Sequence, residues 1–441
     1  MRKLVRSLVV LVFACSLANS LDRQPNADYH VRREALAKKA GGAVVLFAPL
    51  EAGDAVYGFR QDDNFYYLSG ITEPGDALLI APAAEAKDNI PARPYTEILF
   101  LRPHNLRSEK FTGPKLGAEN ADAPKITGFD RVEDMAKLPD EASKVLAGGG
   151  PVIYTDLPSP GEISAVAEPL SFLKRTNAVL MLQDVKPMLS SLRTVKDAGE
   201  AALIRKAVDA SVAAHRAAMK AVKPNVTEYE ISGLMQYEWT RRGCERPSYS
   251  PIVGSGHNST VLHYSEDSNT MKAGDVVVID AAAEYSMYAA DVTRTLPIDG
   301  HFTPRQREIY DIVLGAQEAA IAAFQSGKSM LVGDTDASLH KVARDYIKSH
   351  GKDLHGQPLD QYFIHGLGHY VGLNVHDSGD YKIPLGPGMA FTIEPGIYIP
   401  EENIGVRIED DFYVDADGKL IKLSAAAPSK AADVEKTMAG K

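Results

Sequence analysis

Between residues 29 and about 189, short apolar runs alternate with polar, Pro/Gly-punctuated or helix-like stretches. The runs fall at 43–47, 77–80, 97–101 and 152–154. Runs of that length, bounded by turn residues, predict strands, and their alternation with helical text predicts an α/β domain. From about 190–196 the pattern changes to a sustained helical period through Leu203, Ala207, Ala210, Ala214 and Ala217. A second domain is therefore expected to start there. Pro224 ends its first helix, 227–242 resumes helical text, and Gly243 stops it. Strands are expected next at 250–253, 261–264, 276–281 and 289–296. The sequence Thr303-Pro304-Arg305-Gln306 is a capping box with proline at the first helical position, opening a helix to about 325. A further helix near 337–350 and strands at 362–365, 369–375, 389–393 and 406–414 follow. The order of a helix pair followed by strands thus occurs twice, which points to two pseudo-twofold halves with a cleft between them.

A length of 441 residues fits two domains better than one. Apolar residues at 45% and charged residues at 24% are ordinary for a globular chain. The first twenty residues differ: Arg2, Lys3 and Arg6 precede an apolar run ending at Leu17, followed by Ala18 and Ser20. This predicts a secretory signal peptide and a periplasmic or secreted protein, with lipid attachment at Cys15 as the lesser reading. The run is too short to span a bilayer comfortably, so no integral membrane span is expected in the mature chain. Loss of the three bases would deepen the net charge from -10 to -13. Such a charge repels phosphate backbones and argues against nucleic acid as a partner. Only Cys244 would remain, so no intramolecular disulfide is expected. The expected organisation is a signal peptide at 1–20, an N-terminal domain at 25–189, a C-terminal domain at 190–428 and a tail at 429–441.

The chemistry lies in four carboxylates and a histidine cluster. Val276-Val277-Val278-Ile279-Asp280 reads as a buried strand that delivers one acid to its end, and Asp291 reads as lying on the return strand of a hairpin turning near Ser286. Neighbouring carboxylates repel unless a cation lies between them. The competing reading pairs Asp291 with Arg294. Three of the twelve histidines, His365, His369 and His376, fall within twelve residues among interleaved glycines. They are expected on a Gly-rich turn and strand, as ligand, proton carrier or oxyanion partner. Glu394 and Glu409 complete the set at strand ends. Four carboxylates and one imidazole form an oxygen-rich set suited to Mn²⁺, with Co²⁺ or Zn²⁺ as alternatives. Two ions fit it better than one, because ions about 3.5–4 Å apart share a bridging hydroxide and polarise a carbonyl.

The motifs Ile279-Asp280-Ala281, Asp291-Val292-Thr293-Arg294-Thr295, His365-Gly366-Leu367-Gly368-His369, Glu394-Pro395-Gly396 and Arg407-Ile408-Glu409-Asp410 resemble, in order and spacing, the pita-bread metallopeptidase family of methionine aminopeptidase, prolidase and aminopeptidase P. The text from Tyr57 to Gly70 resembles the creatinase-like N-terminal domain of aminopeptidase P and the longer prolidases. The resemblance implies an α/β (α+β) architecture, with that domain followed by a pita-bread catalytic domain. It implies Asp280, Asp291, His369, Glu394 and Glu409 as metal ligands, with Glu394 also accepting the nucleophile's proton. By the same resemblance His263 contacts substrate, His376 steadies the scissile carbonyl, and His365, Tyr398 and Arg407 act behind them. A plainer reading pairs Arg407 with Glu409 or Asp410 on a surface strand. The implied activity is removal of an N-terminal residue from a peptide with proline at its second position, by a homodimer or homotetramer. A dipeptidase of the prolidase kind is the near alternative, and a metal-free binding module of the same fold the remote one. Ala282 and Met287 stand where the family often has glycine.

Overall fold

The computed structural model describes residues 21–51, 57–86, 90–158 and 179–440. The expected leader at 1–20, with Cys15, lies outside the described residues.

The N-terminal sheet has six strands: β1 (Ala43–Phe47), β2 (Ala77–Ala81), β3 (Thr96–Leu101), β4 (Arg131–Asp134), β5 (Val152–Thr155) and β6 (Met181–Asp184). Their spatial order is β4-β3-β2-β1-β5-β6. The pairs β1–β2 and β2–β3 are antiparallel, and β1–β5, β5–β6 and β3–β4 are parallel. Alternation of side chains sends Val44 and Leu46 to one buried cluster and Ala43 and Val45 to another, so both faces of the sheet are covered. The four apolar runs are its central strands. The edge strands β4 (Arg-Val-Glu-Asp) and β6 (Met-Leu-Gln-Asp) escaped sequence reading because their residues are half-exposed and carry charge.

The helix Lys186–Arg193 straddles the boundary expected at 189/190 and leads into the helix Ala198–Ala221. That long helix opens on a capping box of Asp197 and Glu200, as its partner Glu228–Thr240 does on Thr227 and Glu230. Its first half, with Leu203, Ile204, Ala207 and Val208, packs into the same apolar cluster as β1 and β2. Its second half, with Ala214, Ala218 and Met219, enters the main core of the C-terminal domain. One helix therefore belongs to both cores.

The C-terminal strands follow: β7 (Arg246–Pro247), β8 (Ile252–Ser255), β9 (Val276–Asp280), β10 (Ala283–Tyr285), β11 (Tyr288–Ala289) and β12 (Thr293–Pro297) in the first half. After the helices Pro304–Ala323 and Leu339–His350 come β13 (Ala390–Ile393), β14 (Gly396–Ile399), β15 (Ile404–Arg407), β16 (Asp410–Val414) and β17 (Leu420–Lys422). The capping box at Thr303 and Gln306 is present, with Pro304 at the first turn. The halves meet where Thr293 bridges Glu409. The tail is tied down as well: Arg294 donates to the carbonyl of Pro428, and Ala431 and Val434 of the helix Ala431–Met438 are buried.

Three expected strands are corrected. Residues 261–264 follow the 3₁₀ helix Gly256–Thr260 as a turn, and of 362–365 the first closes the 3₁₀ helix Leu359–Tyr362 and the rest are irregular chain. Residues 369–375 form a loop whose single bridge joins Tyr370 to Phe391. The glycines explain this last case. The loop lies so close to β13 that a Cβ on Gly368 would collide with the carbonyl of Thr392. The expected strand 406–414 is two strands, β15 and β16, broken at Ile408 and Glu409.

The hairpin turn falls at Ser286 and Met287, both with positive φ, 48° and 73°. Left-handed backbone costs a non-glycine residue about 1–2 kcal/mol, whereas burying a methionine contributes about 1.5–3 kcal/mol. Met287 is 3% exposed and packs beside Tyr288 and Leu373. Glycine also loses about 0.5–1 kcal/mol of chain entropy relative to alanine in ordered structure. Burial outweighs strain here. Met287→Gly is expected to destabilise the fold by about 1–2 kcal/mol in thermal or denaturant unfolding, and a gain in stability would reverse that ranking.

Candidate metal centre

Four interruptions of regular structure bring the acids together. Asp280 is the last residue of β9, Asp291 precedes β12 in the returning arm, Glu394 follows β13, and Glu409 occupies the break between β15 and β16. Antiparallel pairing of β9 with β12 sets Asp280 opposite Thr293. The bridge from Thr293 to Glu409 then carries the fourth acid to the same place. Asp280, Asp291 and Glu409 are 8%, 5% and 1% exposed.

Ligand atoms of Asp291, His369 and Glu409 lie within 4.8 Å of one another. His369 Nε2 is 3.3 Å from both Asp291 Oδ2 and Glu394 Oε1. Its Nδ1 faces the carbonyl of Tyr370 at 3.1 Å, which aims Nε2 into the acid cluster. Glu409 Oε2 accepts a hydrogen bond from Thr293 Oγ1 at 2.5 Å, while its buried Oε1 has no protein partner. An orphaned carboxylate oxygen among three further carboxylates and an imidazole is the donor chemistry of a divalent-cation site. The residues fit the group.

The electrostatics agree. Burial pushes the Glu394 carboxyl up to about 7, against the pull of His369. Burial and the charge of Asp280 raise Asp291, and burial with Asp291 and Glu394 raises Glu409 well above the usual range. Burial pulls His369 down, but its hydrogen bond to Asp291 and the charge of Glu394 outweigh that and hold it up at about 9.

Two residues absent from the sequence reading support the acids. Tyr249 donates toward both Asp280 Oδ1 (2.5 Å) and Asp291 Oδ1 (2.6 Å), and burial beside these acids raises its phenol far above the ordinary range. Asp411 Oδ2 accepts the backbone N–H of Asp291 at 2.9 Å. Tyr249 sits in irregular chain before β8, where no periodicity marks it. Asp411 adjoins a recognised motif and had that signal alone.

Neither plainer pairing holds. Arg294 pairs with Asp410 at 2.7 Å rather than with Asp291. Arg407 is buried and reaches Asp280 Oδ2 at 2.7 Å. Its other arm donates to the Tyr398 hydroxyl at 2.8 Å, which in turn lies 2.9 Å from His365 Nε2. Asp280, Arg407, Tyr398 and His365 thus form one chain. Burial and the Arg407 charge lower His365 to about 4, so the ring is neutral and accepts from the phenol. His376 stands edge-on to His369 with ring centroids 4.2 Å apart, and desolvation and the His369 charge lower its pKa.

A cavity of about 640 Å³ opens over the cluster. Its walls include His263, His365, His369, His376, Asp280, Asp291, Glu394, Arg407 and Glu409, nine of the ten residues singled out in the sequence. The tenth, Tyr398, lies behind them.

Residues 202–416 match the profile of metallopeptidase family M24, and residues 29–154 that of the aminopeptidase P N-terminal domain. A Xaa-Pro aminopeptidase of Haemophilus influenzae is 35% identical over 94% of this chain and 97% of its own length. That of Escherichia coli is 34% identical over 93% and 97%. Among solved structures, aminopeptidase P from Escherichia coli with the inhibitor Pro-Leu superposes with a TM-score of 0.81 at 31% identity, covering 95% of this chain and 99% of that one. Proline aminopeptidase P II from Yersinia pestis superposes with a TM-score of 0.80 at 32% identity, covering 95% and 100%.

Protons and cations compete for the same atoms. His369, held up at about 9, and Glu394, at about 7, are both protonated below those values and must release protons to bind a cation. Affinity for Mn²⁺, measured by calorimetry in two buffers of different ionisation enthalpy, is expected to rise from pH 6 to pH 9 with proton release. Affinity that is flat with pH, or retained in Asp291→Ala, would refute the site.

Proposed function

The chain belongs to metallopeptidase family M24, and on that premise we propose that it releases the first residue of peptides that carry proline at the second position. It is a hydrolase and a metal-dependent aminopeptidase. The proposed donors for two divalent ions, Mn²⁺ first with Co²⁺ or Zn²⁺ as alternatives, are Asp280, Asp291, His369, Glu394 and Glu409. When bound, such ions supply Lewis acidity and neutralise the buried carboxylates.

The remaining steps belong to the chain. Glu394 Oε1 is engaged by Thr392 Oγ1 at 3.1 Å and by His369, which leaves Oε2 to accept a proton from the attacking water. A carboxylate beside the attacking water can take that proton and return it. The bond before proline is a tertiary amide with no N–H, so its nitrogen leaves readily only once protonated, and Glu394 is the donor at hand. His263 and His376 face the cavity from separate loops, where their ring N–H groups would hold the carbonyl oxygen. Arg407 holds Asp280 in place, and Tyr398 passes that restraint to His365.

One observation favours peptides over dipeptides. Among the described residues lining the cavity, Arg407 is the sole lysine or arginine, and its guanidinium is committed to Asp280, Tyr398 and the carbonyl of Leu262. A dipeptide would place its carboxylate beside proline with no free lysine or arginine among these residues to meet it, at a substantial desolvation cost. A longer peptide carries that charge away. Assayed with added Mn²⁺, a Xaa-Pro-containing pentapeptide is expected to release its first residue at least about tenfold more efficiently than the Xaa-Pro dipeptide. Activity confined to the dipeptide would sink this choice.

We also propose export through the leader at 1–20 and assembly as a homodimer or homotetramer, the first from the charged and apolar pattern of that segment and the second from the family resemblance. Among the described residues no helix is long and apolar enough to cross a membrane. Intact-mass analysis of protein from an exporting host is expected to show a chain starting at Leu21. A retained Met1, or a lipid mass on Cys15, would overturn that route.

A further inference from the structure

The motif at 57–70 takes no part in the chemistry above, yet its Arg60 and Asp63 reach residues that flank the site. Arg60 extends in three directions: Nε to Glu284 Oε2 (2.7 Å), Nη1 to Asp63 Oδ1 (2.8 Å) and Nη2 to the carbonyl of Leu373 (2.6 Å). Glu284 lies on β10, four residues beyond Asp280, and Leu373 lies three residues before His376. Asp63 Oδ2 accepts from Asn374 Nδ2 at 3.4 Å, and Asn374 Oδ1 accepts the backbone N–H of His376 at 3.1 Å. Arg193 reaches Asn64 Oδ1 at 2.7 Å and Asp377, whose other oxygen meets Lys196 at 2.9 Å. Leu373, Asn374 and Asp377 are therefore all held by groups outside their own loop.

That loop needs external restraint. Beyond the bridge at Tyr370 it has no strand ladder; its own backbone bonds are Gly372 to Asn374 and Asp377 to Tyr370. His376 hangs from the part without regular structure. We propose that Arg60, Asp63 and Asn374 are positioning residues through which the N-terminal domain sets the placement of His376 over the metal centre. The Glu284 arm of Arg60 links the same brace to the hairpin that carries Asp280 and Asp291, so loop and hairpin keep one spacing. This rests on the reading of His376 as the group facing the scissile carbonyl. A misplacement of about 1 Å at such a group costs roughly a hundredfold in rate, so a brace of three hydrogen bonds matters to turnover even where it adds little stability.

The test is a set of double-mutant cycles on the full-length, Mn²⁺-loaded enzyme with a Xaa-Pro peptide. Asn374→Ala and Arg60→Lys are each expected to lower kcat about tenfold, with bound metal per chain unchanged and KM within about twofold. In a His376→Ala background the same substitutions are expected to change kcat by less than about twofold, because the group they position is gone. Wild-type kcat in Asn374→Ala overturns the brace, as does an equal loss with and without His376. The Asn374 side chain is exposed, so this variant retains the folded core even where Arg60→Lys does not. Wild-type kcat in His376→Ala overturns instead the reading of that histidine on which the brace depends.

Discussion

Four carboxylates drawn together at the base of one cavity repel each other, and their burial weakens the screening that bulk water gives a surface charge. Most of what surrounds them answers that repulsion. Tyr249 donates to two of the acids, Arg407 to one, Thr293 and Thr392 to two others, and His369 Nε2 lies 3.3 Å from both Asp291 and Glu394. These donors reduce the charge without cancelling it, and Glu409 Oε1 keeps no protein partner. The balance leaves a strong demand for a cation, and that demand makes the centre a metallopeptidase site rather than a polar core.

The same constraint shapes the backbone. Each acid sits where a strand ends or breaks, because a continuous strand would point successive side chains to opposite faces and leave no room for convergence. The break at Ile408 and Glu409 divides what reads as one strand, and the bridge from Thr293 turns Glu409 inward. Gly368 serves the histidine loop in another way, by letting it press against β13. The N-terminal domain joins this arrangement through a shared apolar core and through Arg60, which touches both the hairpin and the histidine loop.

Legibility in the sequence followed burial and repetition. β1, β2 and β3 were visible because burial on both faces writes unbroken apolar runs, half-buried β5 from its short run Val-Ile-Tyr, and the helix from Pro304 from its cap. The edge strands β4 and β6 were not, since one neighbour and partial solvation permit Arg, Glu, Gln and Asp. The turns around His263 and His365 were misread as strands because a few apolar residues in loops imitate the period of a strand. Nine of ten expected site residues line one cavity, for the four acids and one imidazole of the ligand set stand in motifs whose order and spacing are themselves informative.

By itself the sequence determined which chemical groups were present and that four acids stood at the ends of apolar runs, where burial calls for a counter-charge. Tertiary structure alone decided which groups meet. Tyr249 reaches acids 31 and 42 residues away, Arg407 chose Asp280 over its neighbours Glu409 and Asp410, and Arg294 chose Asp410 over Asp291. The physical reason is that hydrogen bonds and ion pairs depend on distance and direction across the fold, which strand register and loop path set. Local composition records that an acid will be buried and leaves its partner to be fixed by packing.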